Sequence, residues 1–478
     1  MRSRDEQTQQ KTSKEGSRQK VAVKPQKYAG ALSSSPAQVD LPSREDPGEL
    51  LEKTLERENM KRAYQRVKQN GGAPGVDGMD TATLAEYLKT NWEQIKEQLR
   101  TGTYRPQPVK RVDIPKPGGG TRALGIPTVL DRLIQQALLQ TLTPIFDPHF
   151  SPESYGFRPG KRAHDAIRRA QEHIREGYRF VVDMDLEKFF DRVNHDMLMA
   201  RVARREEDKR VLKLIRRYLS AGVMECGVVS STTEGTPQGG PLSPLLSNIL
   251  LDDLDRELAR RGHRFVRYAD DCNLFVRSRR AGIRVMESVV RFVEGKLKLK
   301  VNREKSAVDR PWKRKFLGFS FLNDKAGTIR LAPTTLERCK EKIRQLTSRT
   351  WSVAMEERIR QVNQYLRGWI GYFHVASAKK HCGELDQWLR RRLRMCLWKQ
   401  WKRTWTRFRN LRALGVPEWA AWMTAKSSKG PWVMARNTNN ALNVTYWERQ
   451  GLLSLLEHYG KLRQSLGTAG CGPACPVV

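Results

Sequence analysis

Two pairs of aspartates stand in contexts that suit metal-ion chemistry. In HRFVRYADDCNLFVRS, Phe265, Val266 and Tyr268 precede a tight turn and Leu274, Phe275 and Val276 follow it, so Asp270 and Asp271 fall at a hairpin tip. Adjacent carboxylates there project into a cleft and repel one another unless a divalent cation joins them. Aspartate pairs also occur in ordinary turns, so this pair needs a further partner. YRFVVDMDLEKFFDRVNHD supplies one: an apolar strand from Tyr178 to Val182 runs into a helical pattern through Phe189, Phe190, Val193 and Leu198. Asp183 and Asp185 stand two apart and share one strand face; strand geometry does not choose between them. A strand ending on an aspartate, beside a hairpin carrying two more, is what phosphoryl transfer with two magnesium ions requires. Such ions, roughly 4 Å apart, activate an attacking 3′-hydroxyl and clamp a triphosphate. Positioning and charge stabilisation supply the rest.

The elements around these residues follow from apolar spacing. Residues 1–47, rich in Gln, Ser and Lys, read as a disordered basic arm. Leu51, Leu55, Met60, Ala63, Tyr64 and Val67 predict a helix from Gly48 to the turn-rich GGAPGVDG, Gly71–Gly78. A second helical stretch surrounds Leu84–Leu99, and VKRVDIPKPGGGTRALGIP predicts a hairpin about Gly118–Gly120. The middle third mixes strand and helix patterns without regular βαβ spacing, which favours an α+β arrangement over a doubly wound sheet. After Leu331 the pattern is helical, with segments near Thr335–Leu346, Met355–Tyr372 and Leu385–Arg409. A last segment, Ala413 to Leu466, carries Trp419, Trp422, Trp432 and Trp447.

Composition narrows the partner. In 478 residues, 88 Lys and Arg against 52 Asp and Glu leave a net charge of +36. Such a surplus repels itself unless a polyanion neutralises it, and nucleic acid is the usual one. An anionic membrane surface is disfavoured, because the basic residues sit among aromatics rather than on a clean amphipathic face. No apolar run reaches the length of a membrane span and no signal-peptide core is present. The cysteines, seven in number and scattered, fit reduced thiols in cytoplasm; Cys471 and Cys475 lie in a Gly/Pro-rich tail without further ligands.

Taken in order, the motifs resemble the bacterial group II intron-encoded reverse transcriptases, or maturases. YADD at Tyr268–Asp271 and DLEKFFD at Asp185–Asp191 are joined by QNGGAPGVDG at Gln69–Gly78, IPKPGGGTRALGIP at Ile114–Pro127 and YGFRPGKRAHDA at Tyr155–Ala166. TPQGGPLSPLLSNILLDDLD at Thr236–Asp255, KLKVNREKS at Lys298–Ser306 and FLGFSF at Phe316–Phe321 continue the series. The resemblance spans about residues 50 to 465 and is greatest to the short class C members. It implies a right-hand polymerase fold: fingers and palm over 48–330, a helical thumb or X domain over 331–412, a DNA-binding segment over 413–467 and a disordered tail over 468–478. No endonuclease domain is expected.

The resemblance also implies roles. Its Asp-x4-Phe spacing selects Asp185 as the metal ligand beside Asp270 and Asp271, with the Leu186 carbonyl also serving a metal and Asp183 as a neighbour. Two Mg2+ ions are implied, with Mn2+ as a substitute. Lys116 and Arg122 match the fingertip cations that grip an incoming dNTP, Phe190 the steric gate against a ribose 2′-hydroxyl, and Gln238 the residue beside the nucleotide. Lys305 matches the lysine that protonates the leaving pyrophosphate, and Phe316, Leu317, Gly318 and Phe319 the primer grip.

QYLRGWIGYFHVA, Gln364–Ala376, matches the thumb signature. Gly368 and Gly371 there suggest close helix packing, with Trp369, Tyr372 and Phe373 as bundle core. The following WLRRRLRMCLWKQWKRTWTRFRNLR has no acidic residue between Asp386 and Glu418. Trp398, Trp401, Trp405 and Phe408 read as its buried stripe, leaving Arg390, Arg391, Arg392, Arg394, Lys399, Lys402 and Arg403 to face RNA. The implied partners are an intron RNA, an RNA template with DNA primer, target DNA and dNTPs, in the cytoplasm at the nucleoid. A domesticated host enzyme and a splicing-only RNA-binding protein are the alternatives; intact aspartates disfavour the second.

Overall fold

The computed structural model describes residues 49–115, 119–225, 228–230, 234–236 and 239–468. The N-terminal arm, the tail beyond 468, Lys116, Gln238, Cys226, Cys471 and Cys475 lie outside the described residues. Ten strands are described: β1 Val109–Pro115, β2 Thr121–Ile126, β3 Phe180–Asp185, β4 Val223–Glu225, β5 Val228–Ser230, β6 Arg264–Tyr268, β7 Asp271–Val276, β8 Ala307–Asp309, β9 Phe319–Phe321 and β10 Ile329–Leu331. They form a fingers sheet in the order β2-β1-β4-β5, a palm sheet β6-β7-β3-β8 and a small β10-β9 pair. The expected α+β fold is the one observed: the palm pairs are antiparallel, and helices dominate the C-terminal half.

Strand alternation gives the palm sheet two buried faces that meet different cores. Val182 and Met184 of β3, with Cys272, Leu274 and Val276 of β7, pack into a core shared with helices such as Val129–Phe146 and Ser243–Arg260. Val181, Val266 and Phe275 on the other face join a second core with the helix Ala163–Arg175 and the thumb. Each buried Leu, Val or Phe contributes roughly 1.5–3 kcal/mol. Along β3 the second face changes from Val181 to Asp183 and Asp185, so the sheet runs out of the core and into the cleft.

Two expected helices are broken where a side chain captures the backbone. The first divides into Glu49–Leu55 and Arg57–Asn70, with Asn59 Nδ2 donating to the Thr54 carbonyl at 2.8 Å across the break. The segment expected over Leu385–Arg409 divides into Lys379–Gln400 and Thr404–Ala413; the Trp401 carbonyl accepts from Arg407 Nε at 2.8 Å. Gly368 and Gly371 do not serve close packing: they are exposed, and a β-carbon on either would meet nothing within 4 Å. Trp369 is buried with the bundle, while Tyr372 and Phe373 are half-buried toward the palm.

The C-terminal helices return to the thumb. Asp386 accepts from the backbone N–H of Leu455 at 2.9 Å and of Leu456 at 3.0 Å, seating the start of helix Leu455–Thr468. Ala435, Leu442, Trp447 and Tyr459 share the core of the thumb helices. Residues around 404–425 instead form a small core of their own. No described helix is long and apolar enough to cross a membrane.

Candidate active site

The register of the palm sheet brings the carboxylates together. β3 and β7 pair Asp185 with Asp271 and Asp183 with Asn273. Directly opposed residues of an antiparallel pair share a face, with β-carbons roughly 4.5–5.5 Å apart, so Asp185 and Asp271 face the same solvent. β6 and β7 close through the pair Tyr268–Asp271, leaving Ala269 and Asp270 as a two-residue turn. Ala269 has φ +57°, a left-handed conformation that costs an L-residue about 1–2 kcal/mol.

A buried network holds this turn. Arg267 and Asp255 are 1% and 0% exposed and pair at 2.6 Å. Arg267 also donates to Asn248 Oδ1 at 3.0 Å, Ser154 Oγ at 2.7 Å and the Ala269 carbonyl at 2.8 Å. Asn248 Nδ2 in turn donates to the Gly156 carbonyl at 2.9 Å. Gly156 lies flat on the turn, since a β-carbon there would collide with the Ala269 nitrogen. Sequence reasoning missed these residues. Their signal was available: Asn248, Asp252 and Asp255 recur at intervals of four and three among the buried leucines of the helix Ser243–Arg260.

The end of β3 is fixed separately. The Asp185 N–H donates to Ser306 Oγ at 3.0 Å, its carbonyl accepts from the Asn302 N–H at 2.9 Å, and Leu186 bridges to Val301. Leu186 buries its side chain, leaving only its backbone for the site. Lys305 is exposed, its Nζ 3.6 Å from Asp185 Oδ2. Asp183 takes a different partner, accepting from Arg314 Nε at 2.7 Å, while Arg314 Nη2 reaches the Lys305 carbonyl at 2.7 Å.

Burial is the leading electrostatic influence on three of these acids. Burial pushes Asp183 upward and Arg314 opposes that. Burial also raises Asp270, with Asp185 adding repulsion and Arg122 of the fingers hairpin opposing it. Asp271 is pushed up to about 8, first by burial and then by Asp183, Asp270 and Asp185, with Lys315 opposing. Among the described residues no three acid, His or Cys side chains converge into a ready-made chelate. Neighbouring carboxylates repel one another, and a divalent cation offsets that repulsion. An all-oxygen donor set suits a hard divalent ion.

Fingers and thumb border this centre. The fingers hairpin pairs Ile114 with Arg122 and Pro115 with Thr121. A cavity of about 420 Å³ lies between it and the palm, lined by Leu124, Gly125, Phe190, Gly235 and Thr236. Phe190 is partly buried and meets Phe189 edge-to-face at 5.1 Å, with part of its surface on that cavity. On the other side a cleft of about 690 Å³ runs from Asp185 and Asp271 past Lys315 and Gly318 to Tyr372 of the thumb. Phe316 and Phe319 exchange both backbone hydrogen bonds around Leu317 and Gly318, which have φ of +50° and +86°. Positive φ at both positions is the requirement of a type I′ turn. The thumb clasps it: Tyr372 Oη donates to the Leu317 carbonyl at 3.1 Å and Thr335 Oγ1 to the Gly318 carbonyl at 2.7 Å.

Residues 114–321 match the family model described as reverse transcriptase (RNA-dependent DNA polymerase), and residues 336–415 the group II intron, maturase-specific domain. Protein YkfC of Escherichia coli (strain K12) is 35% identical over 273 residues, covering 49% of this chain and 72% of YkfC. The group II intron-encoded protein LtrA of Lactococcus lactis subsp. cremoris is 29% identical over 334 residues, covering 56% of this chain and 55% of LtrA. This chain belongs to the group II intron-encoded reverse transcriptases. The reverse transcriptase match contains Asp185, Asp270 and Asp271, and the maturase match contains the thumb helices. Enzymes of this family are RNA-directed DNA polymerases that use divalent metal ions. A partial Cas6-RT-Cas1–Cas2 complex is similar at TM-score 0.34 with 24% identity, covering 52% of this chain and 42% of that one, too slight a likeness to carry structural inference.

Part of the basic helix does not stand as expected in this reverse transcriptase. Arg394 is buried, donating to the carbonyls of Ala435 at 2.7 Å and Leu442 at 3.2 Å; burial lowers its pKa to about 10. It braces the C-terminal helices and does not face RNA. Arg392 is half-buried against Thr347, and Arg391 lies 4.0 Å over the Trp432 ring. Arg390 is partly exposed, and Lys399, Lys402 and Arg403 are exposed. The expected aromatic stripe is buried at Trp398 and Phe408, half-buried at Trp401, but 60% exposed at Trp405.

Proposed function

We propose that this protein copies its intron RNA into DNA at Asp185, Asp270 and Asp271 during retrohoming, and binds that RNA to assist splicing. The observation that carries the reading is the pairing of Asp185 with Asp271 in a cleft that runs from the palm to the thumb. Two Mg2+ ions, or Mn2+ in their place, would be held by these three carboxylates and the Leu186 carbonyl; they supply activation of the primer 3′-hydroxyl and neutralisation of the triphosphate.

The chain's own groups do the rest. Lys116 and Arg122 bring cations to the dNTP phosphates, the Arg fork binding two oxygens at once. Phe190 occupies the space a 2′-hydroxyl needs, and the family resemblance gives Gln238 the role of contacting the sugar and base. The turn Phe316–Phe319, clasped by Tyr372 and Thr335, holds the primer end in the cleft. Lys305 delivers a proton to the leaving pyrophosphate from its place beside Asp185. Arg390, Arg391, Lys399, Lys402 and Arg403 meet intron RNA phosphates. The setting is the cytoplasm of a bacterium, at the nucleoid.

Primer extension on an RNA template tests the polymerase half, and a splicing assay on the intron precursor tests the other. The expected results are extension with dNTPs and Mg2+ and faster precursor splicing at moderate salt. No extension by folded protein would overturn the first; extension without intron RNA binding would favour a domesticated host enzyme.

A further inference from the structure

We infer that Trp405, Trp419 and Met423 form a stacking platform for unpaired bases of a structured RNA. These residues are 60%, 70% and 69% exposed. They stand on the helices Thr404–Ala413 and Glu418–Ala425, which pack on one another. That small core is already filled by Trp398, Phe408, Leu411, Ala421, Ala425 and Met434, so the exposed rings are not needed to close it.

The exposed face is built rigidly. Trp405 stacks on Phe408 with centroids 5.2 Å apart and planes 29° apart, and Phe408 stacks on Trp422 at 4.2 Å and 21°. Trp419 lies three residues before Trp422 and four before Met423, so these side chains are neighbours on one helix surface. Trp405, backed by Phe408 and Trp422 and open in front, offers a flat π surface at little cost in side-chain freedom.

Charge identifies the occupant. Exposed Lys402, Arg403, Arg409 and Arg412 accompany the first helix, and exposed Lys426 and Lys429 follow the second. Lys426 Nζ lies 5.2 Å over the Trp422 ring. No acidic residue occurs between Asp386 and Glu418. Cations around open aromatic rings suit a polyanion that has free base faces. A closed duplex offers phosphates but keeps its bases stacked internally. Structured RNA presents unpaired bases in loops and bulges without first being opened, which favours it over duplex DNA. Trp405 and Phe408 also lie inside the segment that matches the maturase-specific domain. The inference rests on the proposed RNA-binding role, which it deepens through this geometry and charge, and stands apart from the polymerase reading.

The test compares the full chain with W405A/W419A and W405F/W419F variants. The probes are an RNA hairpin with an unpaired adenine-rich loop, the same stem as a blunt duplex, and a DNA hairpin of equal sequence. The expected result is binding to the RNA loop weakened about tenfold or more by the alanine pair and largely retained by the phenylalanine pair. Duplex binding, helical circular dichroism and primer extension should stay unchanged. Equal loss on loop and duplex, no loss at all, or preference for the DNA hairpin would overturn the inference. So would self-association of the parent chain that the alanine pair abolishes, since the face would then cover a second copy.

Discussion

Asp183 and Asp185 sit on one face of one strand, yet they meet different partners. Asp183 is opposed by Asn273 and neutralised by Arg314, whereas Asp185 is opposed by Asp271. Sequence spacing placed both on the right face and could not rank them, because ranking needs the cross-strand register. Phe190 carries a second residue-scale consequence. Its ring faces the cavity between fingers and palm, so Phe190→Val should remove the bulk opposing a 2′-hydroxyl and raise ribonucleotide incorporation relative to deoxynucleotide by roughly tenfold or more. A gap worth about one to three kcal/mol is the usual yield of one altered side chain in an apolar pocket. Competition between rNTP and dNTP at a single template position measures it, and unchanged discrimination would exclude the gate.

At the scale of elements, the YADD hairpin depends on the helix behind it. Asp255→Asn leaves the Arg267 guanidinium fully buried without its counter-charge, and removing one partner of such a pair typically costs about 3–5 kcal/mol. The expected outcome is a lower denaturation midpoint together with reduced primer extension, since Arg267 also holds the Ala269 carbonyl. Replacing both partners, R267M with D255L, should recover much of the stability while leaving extension impaired. Recovery of both would mean that the network braces the fold without positioning the turn.

The periodicity of apolar residues made most helices and both hairpins legible, because burial imposes that periodicity. It did not reveal the breaks at Glu56 and Trp401, which depend on side-chain capture of backbone groups. Nor did it reveal Trp405 in the open, because a tryptophan at helical spacing reads the same whether its face is covered or free. Arg394 was misread for a related reason: a run of arginines on one helix does not disclose which of them points inward.

For the whole molecule, the net charge of +36 sets the partner and its salt dependence. With Arg394 buried, the informative cations are Lys399, Lys402 and Arg403. Converting these three to Gln should flatten the slope of log affinity for RNA against log salt by roughly 0.7–0.9 for each phosphate that is no longer neutralised, with the thermal midpoint unchanged. An unchanged slope would show that this face is not used. In the proposed reading, fingers, palm and thumb converge on one metal-dependent centre at Asp185, Asp270 and Asp271. Single-turnover extension of a primed RNA template by Asp185→Asn and Asp270→Asn, with Asp183→Asn alongside, tests this convergence most directly. The first two variants should bind template and primer normally but extend about a thousandfold more slowly or worse, the scale of several kcal/mol lost at the transition state. Asp183→Asn should retain far more activity. Near-normal extension by folded Asp185→Asn or Asp270→Asn would contradict a centre built on these carboxylates.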